Sequence, residues 1–226
     1  VPITPTSRAY PQAYAVDTHY VVGGSLFYHP PLEGLRVGAS LLRAWIDFHL
    51  DLDSQTTAGL IAAGLAPPAF NGQITESFKP VTLTVASAEY VHDDGTFAAE
   101  YSRWYAHVVW SDLFPTARAH SERFYGLANL QLSDHVGTGV YYSVFHPDVT
   151  DRGGHDAKWK KPFYAWQRDA TFTLRYDLND HWLFKVEGHF IDGVAALFDG
   201  AVLDPNLNKS PSRYWGMFLV RAAVTF

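Results

Sequence analysis

From residue 214 onward the chain reads Tyr-Trp-Gly-Met-Phe-Leu-Val-Arg-Ala-Ala-Val-Thr-Phe, ending at Phe226. Counted backwards from Phe226, every second residue is apolar: Val224, Ala222, Val220 and Phe218. The other register carries Thr225, Ala223, Arg221, Leu219 and Met217. Period-two alternation is the pattern of a strand with one face against an apolar medium. The same pattern recurs along the chain and predicts strands at about 17–28, 33–43, 81–91, 96–108, 122–132, 137–146, 167–178, 182–191 and 214–226. Each is near the ~9–11 residues that a tilted membrane-crossing strand needs.

Short turns and long connections alternate between these strands. The short turns are His29–Glu33, His92–Gly95, Ser133–His135 and Asn179–His181; the long connections are about 44–80, 109–121, 147–166 and 192–213. Such asymmetry fits an up-and-down membrane barrel, whereas a soluble sandwich mixes loop lengths. No run of ~18 apolar residues is present, and the most apolar stretch, 58–70, is broken by Gly59, Gly64, Pro67 and Pro68, so no spanning helix is expected. The absence of cysteine excludes disulfides, zinc–thiolate sites and cysteine nucleophiles. The net charge of −6 argues against a nucleic-acid partner. No leader is legible at Val1.

An internal repeat supports the hairpin reading. Leu132-Ser-Asp-His-Val136 and Leu178-Asn-Asp-His-Trp182 stand 46 residues apart with matching flanks. Propeller blades have a similar period but need four short strands per repeat, where two long ones are read here. Tyr28, Phe97, Tyr101, Tyr105, Tyr142, Tyr176, Trp182 and Trp215 gather near strand ends. That is the pattern of interfacial girdles, or of the core of a soluble protein.

The C-terminal strand, closing on an aromatic, resembles the last strand of Gram-negative outer-membrane β-barrels. It departs from that pattern at Val224, where an aromatic is common, and at the early Gly216. The hairpins 23–40 and 88–104 resemble porin sequences too. The resemblance implies an all-β, antiparallel up-and-down transmembrane β-barrel in the outer membrane. It also implies outer-membrane lipid as surroundings, small hydrophilic solutes as cargo, and the barrel assembly machinery as reader of the last strand. A homo-oligomer is compatible with it. No cofactor is implied.

Nine strands is an odd number, and bacterial single-chain barrels have even numbers. The expectation is therefore one barrel region, 1–226, forming the C-terminal portion of a larger barrel. Residues 1–16 then read as the remnant of a loop; a strand missed within 44–80 is the alternative. Inside 44–80, residues 54–65 read as a short helix capped by Ser54 and ended by Pro67-Pro68. This segment either folds into the lumen or forms an extracellular lid.

The polar register supplies the candidate solute-facing residues. On 167–191 it reads Asp169, Thr171, Thr173, Arg175, Asp177, then Lys185, Glu187, His189. A turn centred on Asp180 sets Arg175 opposite Lys185 and Thr173 opposite Glu187, with Arg221 at similar height. Opposed cations repel, so Asp177 and Glu187 are expected to compensate. The row Arg175, Lys185, Arg221 is either an anion-attracting strip or a structural ion-pair network. Arg36, Ser40, Glu100, Ser102, Asn129, Gln131 and Ser143 complete the polar list.

Enzyme signals are poor. His146-Pro-Asp148 and Asp151-Arg-Gly-Gly-His-Asp156 share a loop and could gather a cation, but no recognised ligand spacing is present, and Ser-His-Asp combinations lack a nucleophile motif. The expected function is passive diffusion of small hydrophilic solutes or ions, with no catalytic and no metal residues. The alternatives are a scaffold, adhesin or receptor barrel, a barrel hydrolase, and a soluble β-rich binding protein.

Overall fold

The computed structural model describes residues 12–110, 116–197 and 211–225. Nine strands follow one another: β1 (Gln12–Tyr28), β2 (Leu35–Asp51), β3 (Gln73–His92), β4 (Gly95–Trp110), β5 (Ala117–Ser133), β6 (Val136–His146), β7 (Gln167–Asp177), β8 (Trp182–Gly193) and β9 (Tyr214–Val224). They form one antiparallel sheet in chain order, β1 to β9, with β1 and β9 at its edges. All nine expected strands are present. Closure into a barrel is not a feature of the described residues. Residues 1–11, 111–115 and 198–210 of the expected loops, and the terminal Phe226, lie outside them.

Several strands extend further than the alternation indicated. β1 starts at Gln12, so 12–16 is strand rather than loop. β2 and β3 run to Asp51 and from Gln73, which shortens the connection expected at 44–80 to 52–72. The residues misread are polar: Asp47, His49, Thr75 and Ser77 looked like loop composition. In the structure they pair across strands, which satisfies them without turning them to bulk water.

The helix in that connection, α1 (Ser54–Ala62), is capped by Asp53, one residue before the expected Ser54. The Asp53 carboxylate accepts the Gln55 and Thr56 amides, each at 2.9 Å. Gly64, at φ 70°, stops the helix before Pro67 is reached. Leu65 N–H returns to Leu60 O and Gly64 N–H to Ile61 O, the 6→1 and 5→2 bonds of a glycine-terminated helix. No residue of α1 is buried.

The chain resolves into two compact units. One comprises Val1–Gly24, Leu41–Leu83 and Trp104–Ala119; the other Ser25–Ser40, Thr84–Arg103 and His120–Phe226. In the second unit the ladders fix which side chains share a face. Across β5–β9 one row reads Gly126, Tyr142, Ala170, Phe190, Gly216, and the next Ala128, Val140, Phe172, Gly188, Phe218. Large residues stand beside small ones, so adjacent strands interlock. The opposite face carries Asn129, Gly139, Thr173, Glu187 and Leu219, then Gln131, Gly137, Arg175, Lys185 and Arg221. The expected pairs Arg175–Lys185 and Thr173–Glu187 are both formed.

All four short turns belong to this unit and lie along one end of it. Each is hydrogen-bonded to the strand after the next: Val91 N–H to Gly34 O, Gln131 N–H to Asp94 O, Asp177 N–H to His135 O and Thr225 N–H to His181 O. The two repeated histidines do the same work. The His135 ring nitrogen Nδ1 meets Asp177 O at 2.8 Å, and that of His181 meets Thr225 O at 3.0 Å. The sequence repeat is thus a repeated seam between hairpins.

Candidate functional site

The two faces of the second unit are partitioned in reverse of a soluble sheet. On the apolar face Phe190 is 75% exposed, Phe218 69% and Val220 68%, with Phe172, Leu174, Tyr176, Phe184 and Val224 also exposed. On the polar face Thr171 is only 7% exposed. A water-soluble sheet buries the first set and exposes the second. Exposed aromatics at this density form a contiguous apolar surface, which marks an interaction with membrane or protein.

The height of that surface can be read along β8. It begins at Trp182, stacked on Phe184 with centroids 6.2 Å apart, and ends at Asp192, which is ion-paired to Arg168 and Arg213. At ~3.4 Å per residue this is roughly 34 Å of strand, which a tilt of about 40° reduces to roughly 26 Å. A bacterial outer-membrane barrel presents an apolar band of about 25 Å.

A second limit lies on β4 and β5. Glu122 shares the register of Phe124 and Gly126, so a carboxylate interrupts the apolar alternation. It is 9% exposed and fully engaged. Tyr101 OH donates to it at 2.8 Å, Arg152 Nη2 at 2.8 Å, Arg152 Nε also donates, and His146 Nδ1 lies 3.2 Å away. The sequence reading passed over this cluster, although Glu122 in an apolar register was the visible signal. Arg152 belongs to the 147–166 connection, which this network pins to the strands.

The same connection holds the residues considered for a cation. Asp148 is instead paired with Lys158 and accepts from Thr150. Partial burial raises its carboxyl, but the Lys158 ammonium and the Thr150 donors outweigh that and hold it at about 2. Asp151 accepts the His155 and Asp156 amides at 2.9 and 2.8 Å and the Trp159 indole N–H at 2.8 Å. These backbone bonds lower its pKa. Both aspartates organise the loop and leave no converging ligand set among the described residues.

Two cavities among the described residues open on the polar face. The larger, about 520 Å³, is lined by Arg175, Lys185, Arg221, Thr173, Asn129 and Gln131, with Asp93 and Asp94 at its turn end. Arg175 is paired with Asp177 at 2.8 Å and Lys185 with Glu187 at 2.6 Å. The compensation expected of Asp177 and Glu187 is therefore made along each strand. Glycine lets two amide side chains lie over the floor: a Cβ at Gly139 would sit 2.1 Å from Asn129 Oδ1, and one at Gly137 3.1 Å from Gln131 Oε1, so either substitution would displace the amide. The smaller cavity, about 260 Å³, is lined by Arg36, Glu89, Glu100, Tyr125, Ser40 and Phe27. There Arg36 pairs with Glu89 at 3.1 Å and lies 5.4 Å over the Phe27 ring. Of the six sequence candidates, Arg175, Lys185, Glu187 and Arg221 are brought together, while Arg36 and Glu100 form a separate group.

Trp215 departs from the expected girdle. It stands in the polar register opposite Ile191 and donates its indole N–H to Gly193 O at 3.0 Å. Tyr28, Phe97, Tyr101, Tyr142, Tyr176 and Trp182 are exposed as a girdle requires.

Two further networks were not foreseen. In the first unit, His19 meets Asp47 at 2.8 Å and His49 meets Asp17 at 2.9 Å, with Thr75 3.1 Å from His49. In the second, Asp169, Thr171 and His189 form a hydrogen-bonded triangle of 2.8–3.0 Å sides. Each His–Asp pair is formed by residues distant in sequence, which alternation alone cannot match.

No protein-family model matches the chain, and no curated protein matches it by sequence. Two solved structures match over part of their length. The toluene transporter TbuX of Ralstonia pickettii is 15% identical, with a TM-score of 0.40 over 74% of this chain and 54% of that one. The toluene transporter TodX of Pseudomonas putida is 11% identical, with a TM-score of 0.43 over 91% of this chain and 60% of that one. This chain thus spans little more than half the length of either transporter.

Proposed function

We propose that this chain forms part of the wall of an outer-membrane β-barrel of a Gram-negative bacterium, through which small hydrophilic solutes or ions diffuse passively. The reading rests on the partition of the two faces: exposed aromatics and aliphatics on one, and on the other polar and charged groups that run from buried Thr171 to exposed Arg175 and Arg221. A lipid phase outside and water inside satisfy both. Arg175, Lys185 and Arg221 would then stand in the lumen wall, with Glu187, Arg36 and Glu100 on the same polar side. Arg175 and Lys185 carry their own carboxylates, so Arg221 supplies the surplus positive charge of the row. No bond is made or broken in this function, and selectivity follows from width and wall charge.

The test is conductance in a planar bilayer. The full-length protein that contains this chain, refolded into the bilayer, should conduct ions, and Arg175→Gln/Lys185→Gln/Arg221→Gln should move the reversal potential toward cations, since wall charges act within a Debye length of ~8–10 Å. Unchanged selectivity with intact conductance would remove the anion strip and leave an unselective pore. A folded barrel without conductance would favour a scaffold or receptor role. Toluene, the cargo named for both similar structures, is the control solute. Its accelerated entry into vesicles without ion conductance would replace this reading by transport of apolar molecules.

A further inference from the structure

At the loop end of the apolar face two guanidiniums share one carboxylate. Arg213 Nε lies 2.6 Å from Asp192 Oδ1 and its Nη2 3.2 Å from Oδ2, while Arg168 Nη1 lies 3.6 Å from the same Oδ2. One carboxylate balances one cation, so the group carries a net positive charge. Both guanidiniums lean on Trp166, at 5.7 and 5.4 Å from its ring, and Arg213 also covers Tyr214 at 4.8 Å. These stacking contacts hold the planar forks in place while leaving the side chains 49% and 42% exposed.

The row beneath is apolar and uneven. Arg168, Asp192 and Tyr214 are cross-strand partners; the next row is Ala170, Phe190, Gly216 and the one after Phe172, Gly188, Phe218. A Cβ on Gly188 would meet no atom within 4 Å, and one on Gly216 would meet only the His189 carbonyl. Phe190 and Phe218 therefore rise from a floor of small residues and leave open furrows beside them. A cationic, aromatic-braced rim thus stands above apolar furrows on a single face.

We propose that Arg168 and Arg213 bind the phosphate monoester of a glycolipid headgroup, with an acyl chain lying over Ala170, Gly188 and Gly216. This rests on the membrane reading above. Guanidinium forks match phosphate oxygens in pairs, and Trp and Tyr prefer the headgroup level. A free phosphate would use the rim but leave the furrows without purpose, so the occupant is the lipid.

The experiment uses the refolded protein in detergent, with binding of diphosphoryl lipid A and of enzymatically dephosphorylated lipid A followed by native mass spectrometry. Diphosphoryl lipid A should bind at least tenfold more tightly. Arg168→Gln/Arg213→Gln should abolish that preference and leave binding of the dephosphorylated lipid unchanged. Asp192→Asn, which frees both cations, should increase the preference and serves as the second variant if the first fails to fold. Equal binding of the two lipids, a preference that survives the double substitution, or a preference lowered by Asp192→Asn would each overturn the proposal. Inorganic phosphate binding as tightly as the lipid would do the same. Insertion into liposomes is scored in parallel. A protein that inserts but shows no phosphate preference sinks this inference alone; one that does not insert sinks the membrane reading with it.

Discussion

Val186 and Thr173 lie one strand position apart across the β7–β8 ladder, so they face opposite media. Val186 pairs with Leu174 and Val220 on the apolar face, while Thr173 pairs with Glu187 on the polar one. Val186→Lys should therefore destabilise the folded protein in lipid by about 2–4 kcal/mol, and Thr173→Lys by far less. Urea unfolding in lipid vesicles measures both; equal costs would mean that the apolar face does not meet hydrocarbon. Asp148 makes a second residue-level prediction. Its carboxyl is held at about 2 against an ordinary 3.8, so its pairing with Lys158 stabilises the loop fully above pH 3.8. That contribution is lost as the pH falls toward 2. Trp159, anchored to the same loop through Asp151, should report loosening by fluorescence between pH 4 and 2. Lys158→Met should shrink that transition to the part that belongs to Asp151, whose carboxyl is also held low and which bonds the Trp159 indole directly.

Among the elements, strands were legible and side-chain networks were not. Period-two alternation located all nine strands, and the turn centred on Asp180 set the register of Arg175 against Lys185 without error. The ends of β1, β2, β3 and β5 were cut short; in β2 the alternation itself persists there, Ile46, Phe48 and Leu50 against Asp47, His49 and Asp51, and it was the charged register that read as loop composition. Glu122, Tyr101 and Arg152 come from three separate segments, and their meeting depends on a loop path that no local pattern encodes. The cap of α1 moved by one residue because Asp53 and Ser54 are both competent acceptors. The seam histidines offer a test at this scale. His181→Ala should remove one side-chain bond to Thr225 O while keeping the backbone bond between the same residues. A cost of about 1 kcal/mol is expected, seen as faster hydrogen exchange at 223–225 with β6 and β7 unaffected. Faster exchange throughout the sheet would mean that the seam holds more than the strand end.

For the whole molecule, the seam between hairpins describes how the sheet can change size. Each short turn binds the end of a strand that belongs to the following hairpin, and the turns at His135 and His181 do so with atoms contained in the 46-residue repeat itself. A hairpin therefore carries the attachment point for its successor. Copying the repeat once would insert two strands and one further seam without asking any existing contact to change. The sheet is in this sense made of interchangeable staves, and its width is a number that gene duplication can count upward in steps of two.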